Sequence, residues 1–331
     1  MQGRWLRSVT DMSKKGIAVA GVILVDELNE LSAYPKAGEL TKILSVRRAV
    51  GGCVPNVAID LKRMEADLRV RAVGRIGRDE DGAFVENVLL KNGVETQDLV
   101  RTEEKTSFTQ VMSVIGGQRT FFTYAGANAE FCAEDVRLET LDCDMLHLGY
   151  FLLLEKMDDG DGEKVLAKAK ALGIKTSIDF VSENSDRYRK LIPCLQYVDN
   201  LIVNEMEAMR LVGNGEKDLK KVAEELKSYG VKERVIIHDA NKGICLSDNG
   251  FTIVNSYALP KGFIKGTTGA GDAFCAGALL KIKQNASDRG ILEFAVSAAT
   301  AALSETDAVS GMRSEEEIIK LCKDLKRKKI C

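Results

Sequence analysis

The sequence predicts an α/β protein: a mostly parallel central sheet flanked by helices, with a small separate β-sheet. Three observations predict it. Short, nearly continuous apolar runs recur along the chain, as strands covered on both faces do. Helix-like stretches with charged faces separate several of them and stop at a glycine. Two further stretches interleave polar and apolar residues and interrupt the alternation, which sets a second sheet apart from the first.

Residues 1–15 are polar and aperiodic and read as a tail. The segment 16–26 is apolar almost throughout and ends on Asp26, so it reads as a buried strand. Similar runs at 70–73, 145–148, 174–178, 201–203 and 235–237 supply further strands. Helices are expected over 56–64, over 163–172 before Gly173, and over 219–229 before Gly230. The interrupting stretches are 39–50 and 106–124, and the second holds a Gly116-Gly117 hairpin turn. A small sheet with one apolar face must be covered, either by a ligand cleft or by a second copy of the chain. One domain over 16–331 is therefore expected, with strands inserted near 32–50 and 106–125.

Composition narrows the function. With 47 basic and 49 acidic residues the net charge is −2, and 45% hydrophobic with 29% charged side chains describes an ordinary globular chain. That balance provides no field for nucleic acid. Only Lys326-Arg327-Lys328-Lys329 is densely basic, and it reads as a solvated helix end. The eight cysteines form no CxxC pair and read as reduced core thiols, while two histidines argue against a His-based zinc site. The first residues lack the apolar core of a signal peptide, and no apolar stretch approaches the ~20 residues of a membrane span. A cytoplasmic protein that engages no membrane is expected.

Four segments carry chemistry. In Gly266-Thr267-Thr268-Gly269-Ala270-Gly271-Asp272, small residues lead straight into an alanine-rich helix. Amides of Gly269, Ala270 and Gly271 at that helix start, together with its dipole, make an anion hole suited to phosphate. Asp272 beside the hole suits removal of a proton from a hydroxyl that is receiving a phosphoryl group. A capped helix whose Asp only complements the dipole also explains the residues. Asn204 and Glu207 follow the strand at 201–203, where ligands of a parallel sheet gather. They suit water-mediated Mg²⁺ binding, or simply a helix start with acids in its first turn. Gly51, Gly52 and Asn56 offer close backbone approach and a two-way hydrogen-bonding amide, or merely a turn that opens a helix. The fourth segment, 74–82, lacks GxGxxG spacing, and no P-loop occurs.

Together these segments resemble the ribokinase (PfkB) family of carbohydrate and nucleoside kinases. The family's Gly-Gly-x-x-x-Asn-x-Ala is matched from Gly51 to Ala58, its Thr-x-Gly-Ala-Gly-Asp from Thr267 to Asp272, and its Asn-x-x-Glu by Asn204 and Glu207. The resemblance runs from about residue 15 to about residue 312. It implies a ribokinase-like fold with a β-sheet lid, and transfer of the ATP γ-phosphate to a hydroxymethyl group. In that scheme Asp272 is the base, Gly269, Ala270 and Gly271 stabilise the moving phosphoryl group, and Asn204 and Glu207 organise Mg²⁺. Asp26, Gly51, Gly52 and Asn56 would meet the sugar. Asn204, Thr267 and the loop holding His238, Ala240 and Gly243 would flank the nucleotide. Gly266 stands where the family usually has aspartate and Asp307 near a usual glycine, so the resemblance does not carry monovalent-cation activation over to this chain. Gly149 holds roughly the place of the ribose-binding glutamate.

The leading expectation is a sugar kinase. A nucleoside kinase of the same fold is the alternative, with Phe108, Phe121, Phe122, Tyr124 or Phe151 as a wall for the base. Arg119, near the hairpin tip, could instead meet the carboxylate of an acidic sugar, or face solvent. A catalytically idle sugar-binding protein is the third reading. Lid strands that expose apolar residues also suggest a homodimer.

Overall fold

The computed structural model describes residues 15–114 and 119–329; all of the expected tail except Lys15, and the Gly116-Gly117 turn, lie outside them. In chain order the strands are β1 (Gly16–Gly21), β2 (Leu24–Leu31), β3 (Ile43–Gly51), β4 (Val70–Gly77), β5 (Leu99–Thr102), β6 (Phe108–Val114), β7 (Arg119–Tyr124) and β8 (Cys143–Phe151). They continue with β9 (Lys175–Phe180), β10 (Asn200–Asn204), β11 (Arg234–His238), β12 (Lys242–Ser247) and β13 (Gly250–Asn255). The helices are α1 (Cys53–Met64), α2 (Glu80–Lys91), α3 (Gly162–Ala171), α4 (Glu205–Val212), α5 (Leu219–Ser228), α6 (Ala270–Lys283), α7 (Asp288–Ala302) and α8 (Glu315–Cys322).

A nine-stranded sheet runs in the order β13-β12-β11-β10-β9-β8-β1-β4-β5. The strands from β11 to β5 pair in parallel, and β12 and β13 fold back antiparallel at one edge. All six residues of β1 are buried, which accounts for its unbroken apolar reading. Each large aliphatic side chain in this core contributes roughly 1.5–3 kcal/mol relative to exposure. The interior contact between α6 and α7 is alanine-rich, and Gly277 approaches Ala295 and Ala298 so closely that a methyl group would need the neighbours to move.

A four-stranded sheet, ordered β3-β2-β6-β7, stands apart from the first. Here the apolar segment 16–26 divides in two. Gly21 has φ 135° and sits against the Gly149 carbonyl, where an added Cβ would lie 2.3 Å away. The chain turns there, and β2 leaves the main sheet for the small one. Asp26 therefore lies in the lid sheet and not at the end of the central strand. The lid begins at Leu24, earlier than expected from the interleaved stretch alone.

Two other expectations are corrected. Helix α1 starts at Cys53, three residues before Asn56, because Gly52 (φ 89°) caps it where a Cβ would meet the Val22 carbonyl at 2.5 Å. The basic run 326–329 is no helix end. Helix α8 stops at Cys322 and the chain continues extended, with Arg327 bridged to Tyr257 and stacked 3.8 Å over its ring. Among the described residues all seven cysteines are free thiols, and no helix is long and apolar enough to cross a membrane.

Candidate active site

The carboxyl ends of β8, β9, β10 and β11 meet the amino end of α6 at one cleft. The strand order reverses beside them, since β1 lies between β4 on one side and β8 on the other and the later strands run outward from it in both directions. Gly269 caps α6 in the left-handed region (φ 78°), packed so that a Cβ would lie 2.5 Å from Ala308 backbone atoms. The turn thus needs glycine for both conformation and space. The Ala270 amide reaches the Thr267 carbonyl only at 3.4 Å, and first-turn amides have no partner within their own helix. Gly269, Gly271 and Asp272 line a pocket of about 180 Å³ together with Tyr150, Asp179, Ser182, Asn204, Glu207 and His238.

Asp272 is 6% exposed, and its Oδ2 accepts hydrogen bonds from Asn56 Nδ2 at 2.9 Å and Tyr150 Oη at 3.0 Å. Burial pushes its pKa up to about 7, the nearby Asp179 charge adds to the rise, and the two hydrogen bonds oppose it. Asn56 Oδ1 is buried without a hydrogen-bond partner among the described residues. Tyr150 was not legible as a site residue. It follows Gly149, where a Cβ would press on Asp179 and Cys53 at 2.9 Å, so no glutamate fits there. With φ 59° the next residue instead turns its phenol to Asp272.

Asn204 and Glu207 form a capping box at the start of α4: each accepts from the other's backbone amide at 2.9 Å. Ser182 joins them, donating to Glu207 Oε1 at 2.7 Å and accepting from Asn204 Nδ2 at 2.8 Å. Burial raises the Glu207 pKa to about 7. Asp179, another residue the sequence reading missed, lines the same pocket and accepts the Tyr150 amide at 2.6 Å. It had a signal: it is the first acid after an apolar strand, as Asp26 is. Behind it, His147 is fully buried, 3.4 Å from Asp179 and 3.0 Å from Ser177, so it belongs to the core rather than the pocket wall.

A larger cleft of about 520 Å³ adjoins this pocket and shares Asn204, His238 and Gly271 with it. Thr267, Ala240, Tyr257, Leu259, Phe274 and Lys328 are among its walls. His238 stacks on Phe274 at 4.5 Å, and burial lowers its pKa to about 4, so the ring is neutral near pH 7. Gly243 is not brought to the cleft: it lies buried in β12 under Phe274 and Leu292.

Across the site, the half-buried Asp26 faces the cleft from β2, and burial raises its pKa to about 7. Arg119 reaches from β7 to the Thr268 hydroxyl at 2.5 Å. Register places Phe108, Phe122 and Tyr124 on the opposite lid face from Asp26, and Phe151 is wholly buried. Of the aromatic residues considered for a base-binding wall, only Phe121 shares the cleft face. Gly51 packs on Asp26 and Gly52 on the β1–β2 turn, so both shape the lid root.

A family model described as pfkB family carbohydrate kinase matches residues 19–315. The chain belongs to that family. It is 26% identical to the ribokinase of Arabidopsis thaliana over 324 residues, 96% of this chain and 83% of that protein. The structure of the Arabidopsis ribokinase complexed with ribose and ATP superposes with a TM-score of 0.78 at 22% identity, covering 94% of this chain and 99% of that one. The fructokinase of Xylella fastidiosa with bound ATP gives a TM-score of 0.77 at 21% identity, covering 94% and 99%.

Proposed function

We propose that this protein is an ATP-dependent sugar kinase that transfers the γ-phosphate to a hydroxymethyl group of a small carbohydrate, with Asp272 as general base. The carrying observation is the buried Asp272 carboxylate in the first turn of α6, at the edge of a pocket lined by Gly269 and Gly271. Once ionised, it takes the hydroxyl proton while the sugar oxygen bonds to phosphorus and the bond to the bridging oxygen breaks, releasing ADP. The first-turn amides of α6 hold the charge on the moving group. Asn56, through its unpartnered Oδ1, and Asp26 receive sugar hydroxyls. The larger cleft suits the adenosine part of ATP, with His238 and Phe274 as a flat wall and Thr267, Ala240 and Lys328 nearby.

Asp179, Glu207 and Asp272 face one pocket, and no lysine or arginine pairs with them among the described residues. That uncompensated charge fits a hydrated Mg²⁺ held by Asn204, Glu207 and Asp179, largely through water. When bound, Mg²⁺ neutralises charge on the ATP phosphates. The test is ADP release on a panel of pentoses, hexoses, their acids and monophosphates, and nucleosides. Saturable turnover of a sugar is expected. Turnover confined to nucleosides would replace this reading, and binding without ADP release from any compound would overturn it.

A further inference from the structure

We infer that the sugar carries an anionic group, a carboxylate or a phosphate, held by Arg47 and Arg119 on the lid side of the cleft. This rests on the sugar-kinase reading. The lid register puts Arg47, Leu28, Val111 and Phe121 in one row across the sheet, and Ser45, Glu30, Ser113 and Arg119 in the next row on the same face. Asp26 lies on that face too, so both arginines share it with the proposed sugar-binding carboxylate. They come from the two outer strands, β3 and β7, and converge on a small pocket of about 60 Å³ floored by Thr268, Thr306, Asp307 and Ala308.

Their pairing sets them apart. Among the described residues the Arg47 side chain makes no hydrogen bond, ion pair or ring contact, and the Arg119 side chain makes a single hydrogen bond, to Thr268. The neighbouring Arg48 is by contrast committed to Asp81 and to the Phe84 ring. The acids near the pocket do not neutralise them. Asp26 is raised by burial with no arginine counteracting it, Asp307 is engaged by the amides of Val309 and Ser310, and Glu30 accepts from Ser45. Two guanidinium groups with eight or more spare N–H donors between them, by roughly five donors each, match the oxygens of a carboxylate or phosphate. A neutral polyol would leave most of those donors to water. Anchored there, a sugar also meets Asp26, which lines the same pocket and whose charge reaches Asp272.

The test compares five- and six-carbon aldonic and 2-keto acids, and ketohexose monophosphates, each with its neutral parent, in the ADP-release assay. The wild-type enzyme should prefer one anionic sugar over its neutral parent by about 30-fold or more in kcat/KM, and the acid and phosphate arms identify which anion. Arg47→Gln and Arg119→Gln should each shrink that preference by about 10-fold, through KM of the anionic sugar, with melting temperatures checked beside them. Wild-type preference for a neutral sugar, or a preference that both variants leave intact, overturns the anionic subsite while phosphoryl transfer stands. A drop in kcat by Arg119→Gln that is equal for charged and neutral sugars also overturns it, placing that arginine at the transferred group. No ADP release from any sugar contradicts the kinase reading and this inference together.

Discussion

On the core side of the cleft Asp272 is 6% exposed and fixed by Asn56 and Tyr150, whereas on the lid side Phe121 is 60% exposed and the Arg119 side chain makes, among the described residues, one hydrogen bond, to Thr268. The core wall stands on strands whose side chains are buried on both faces, and the lid wall on a sheet whose outer strand β7 is exposed along its whole length. The difference separates two tasks. Groups that handle a proton and a phosphoryl charge must be placed before the substrate arrives, since their reorganisation would add to the barrier. Groups that recognise and cover the substrate can be ordered by it, at a cost in binding that closure offsets by excluding water. Changes on the core wall should therefore strike kcat and folding, and changes on the lid should strike KM.

The sharpest break in that division is Gly269→Ala. Its methyl group would collide with Ala308 backbone at 2.5 Å, in a conformation with φ 78°. We expect kcat to fall by ~10²-fold or more and the melting temperature by several degrees, checked by steady-state kinetics and calorimetry. Tyr150→Phe probes the same wall without deforming it. Wild-type kcat/KM should fall about tenfold per pH unit below the Asp272 pKa of about 7, because protonation disables the base. Removing the phenol hydrogen bond, which lowers that pKa, should move the acid limb to higher pH by roughly 0.5–1 unit. An unmoved limb would assign Tyr150 a purely packing role. Phe121→Ser on the lid should be the mildest: a melting temperature within about 1 °C of wild type, with KM raised about 2–3-fold. A large loss of kcat there would erase the distinction between the walls.

Much of the core wall could be read from the sequence because its chemistry and its local structure coincide. Small residues before an alanine-rich helix, followed at once by Asp272, specify both the turn and the charge beside it. Asn204 and Glu207 were equally visible, although the same two side chains also make the helix cap, so chemistry and capping occupy one pair of residues. Tyr150 was hidden inside an aromatic-apolar run, since its role arises from a positive φ after a glycine that has no room for a side chain. Asp26 was visible but misplaced. The break at Gly21 leaves no trace in hydrophobicity, and the pairing of β2 with β3 and β6 is what reveals that the chain has changed sheets. Strands β12 and β13 were missed for a related reason: an edge hairpin covered on one side has a weaker apolar signal than a central parallel strand. Arg47 and Arg119 come to line one pocket only through the pairing of β3 with β2, β2 with β6 and β6 with β7, a relation that residue spacing does not encode.

The most direct measurement is kcat of Asp272→Asn, made on protein whose sugar affinity is determined by calorimetry in the same preparation. Asn keeps an oxygen for the Asn56 and Tyr150 donors but cannot take the proton, so affinity should stay within about threefold while kcat drops by ~10²–10⁴-fold. Turnover within about fivefold of wild type at pH 8 would show that the proton leaves by another route and would remove Asp272 from the chemistry.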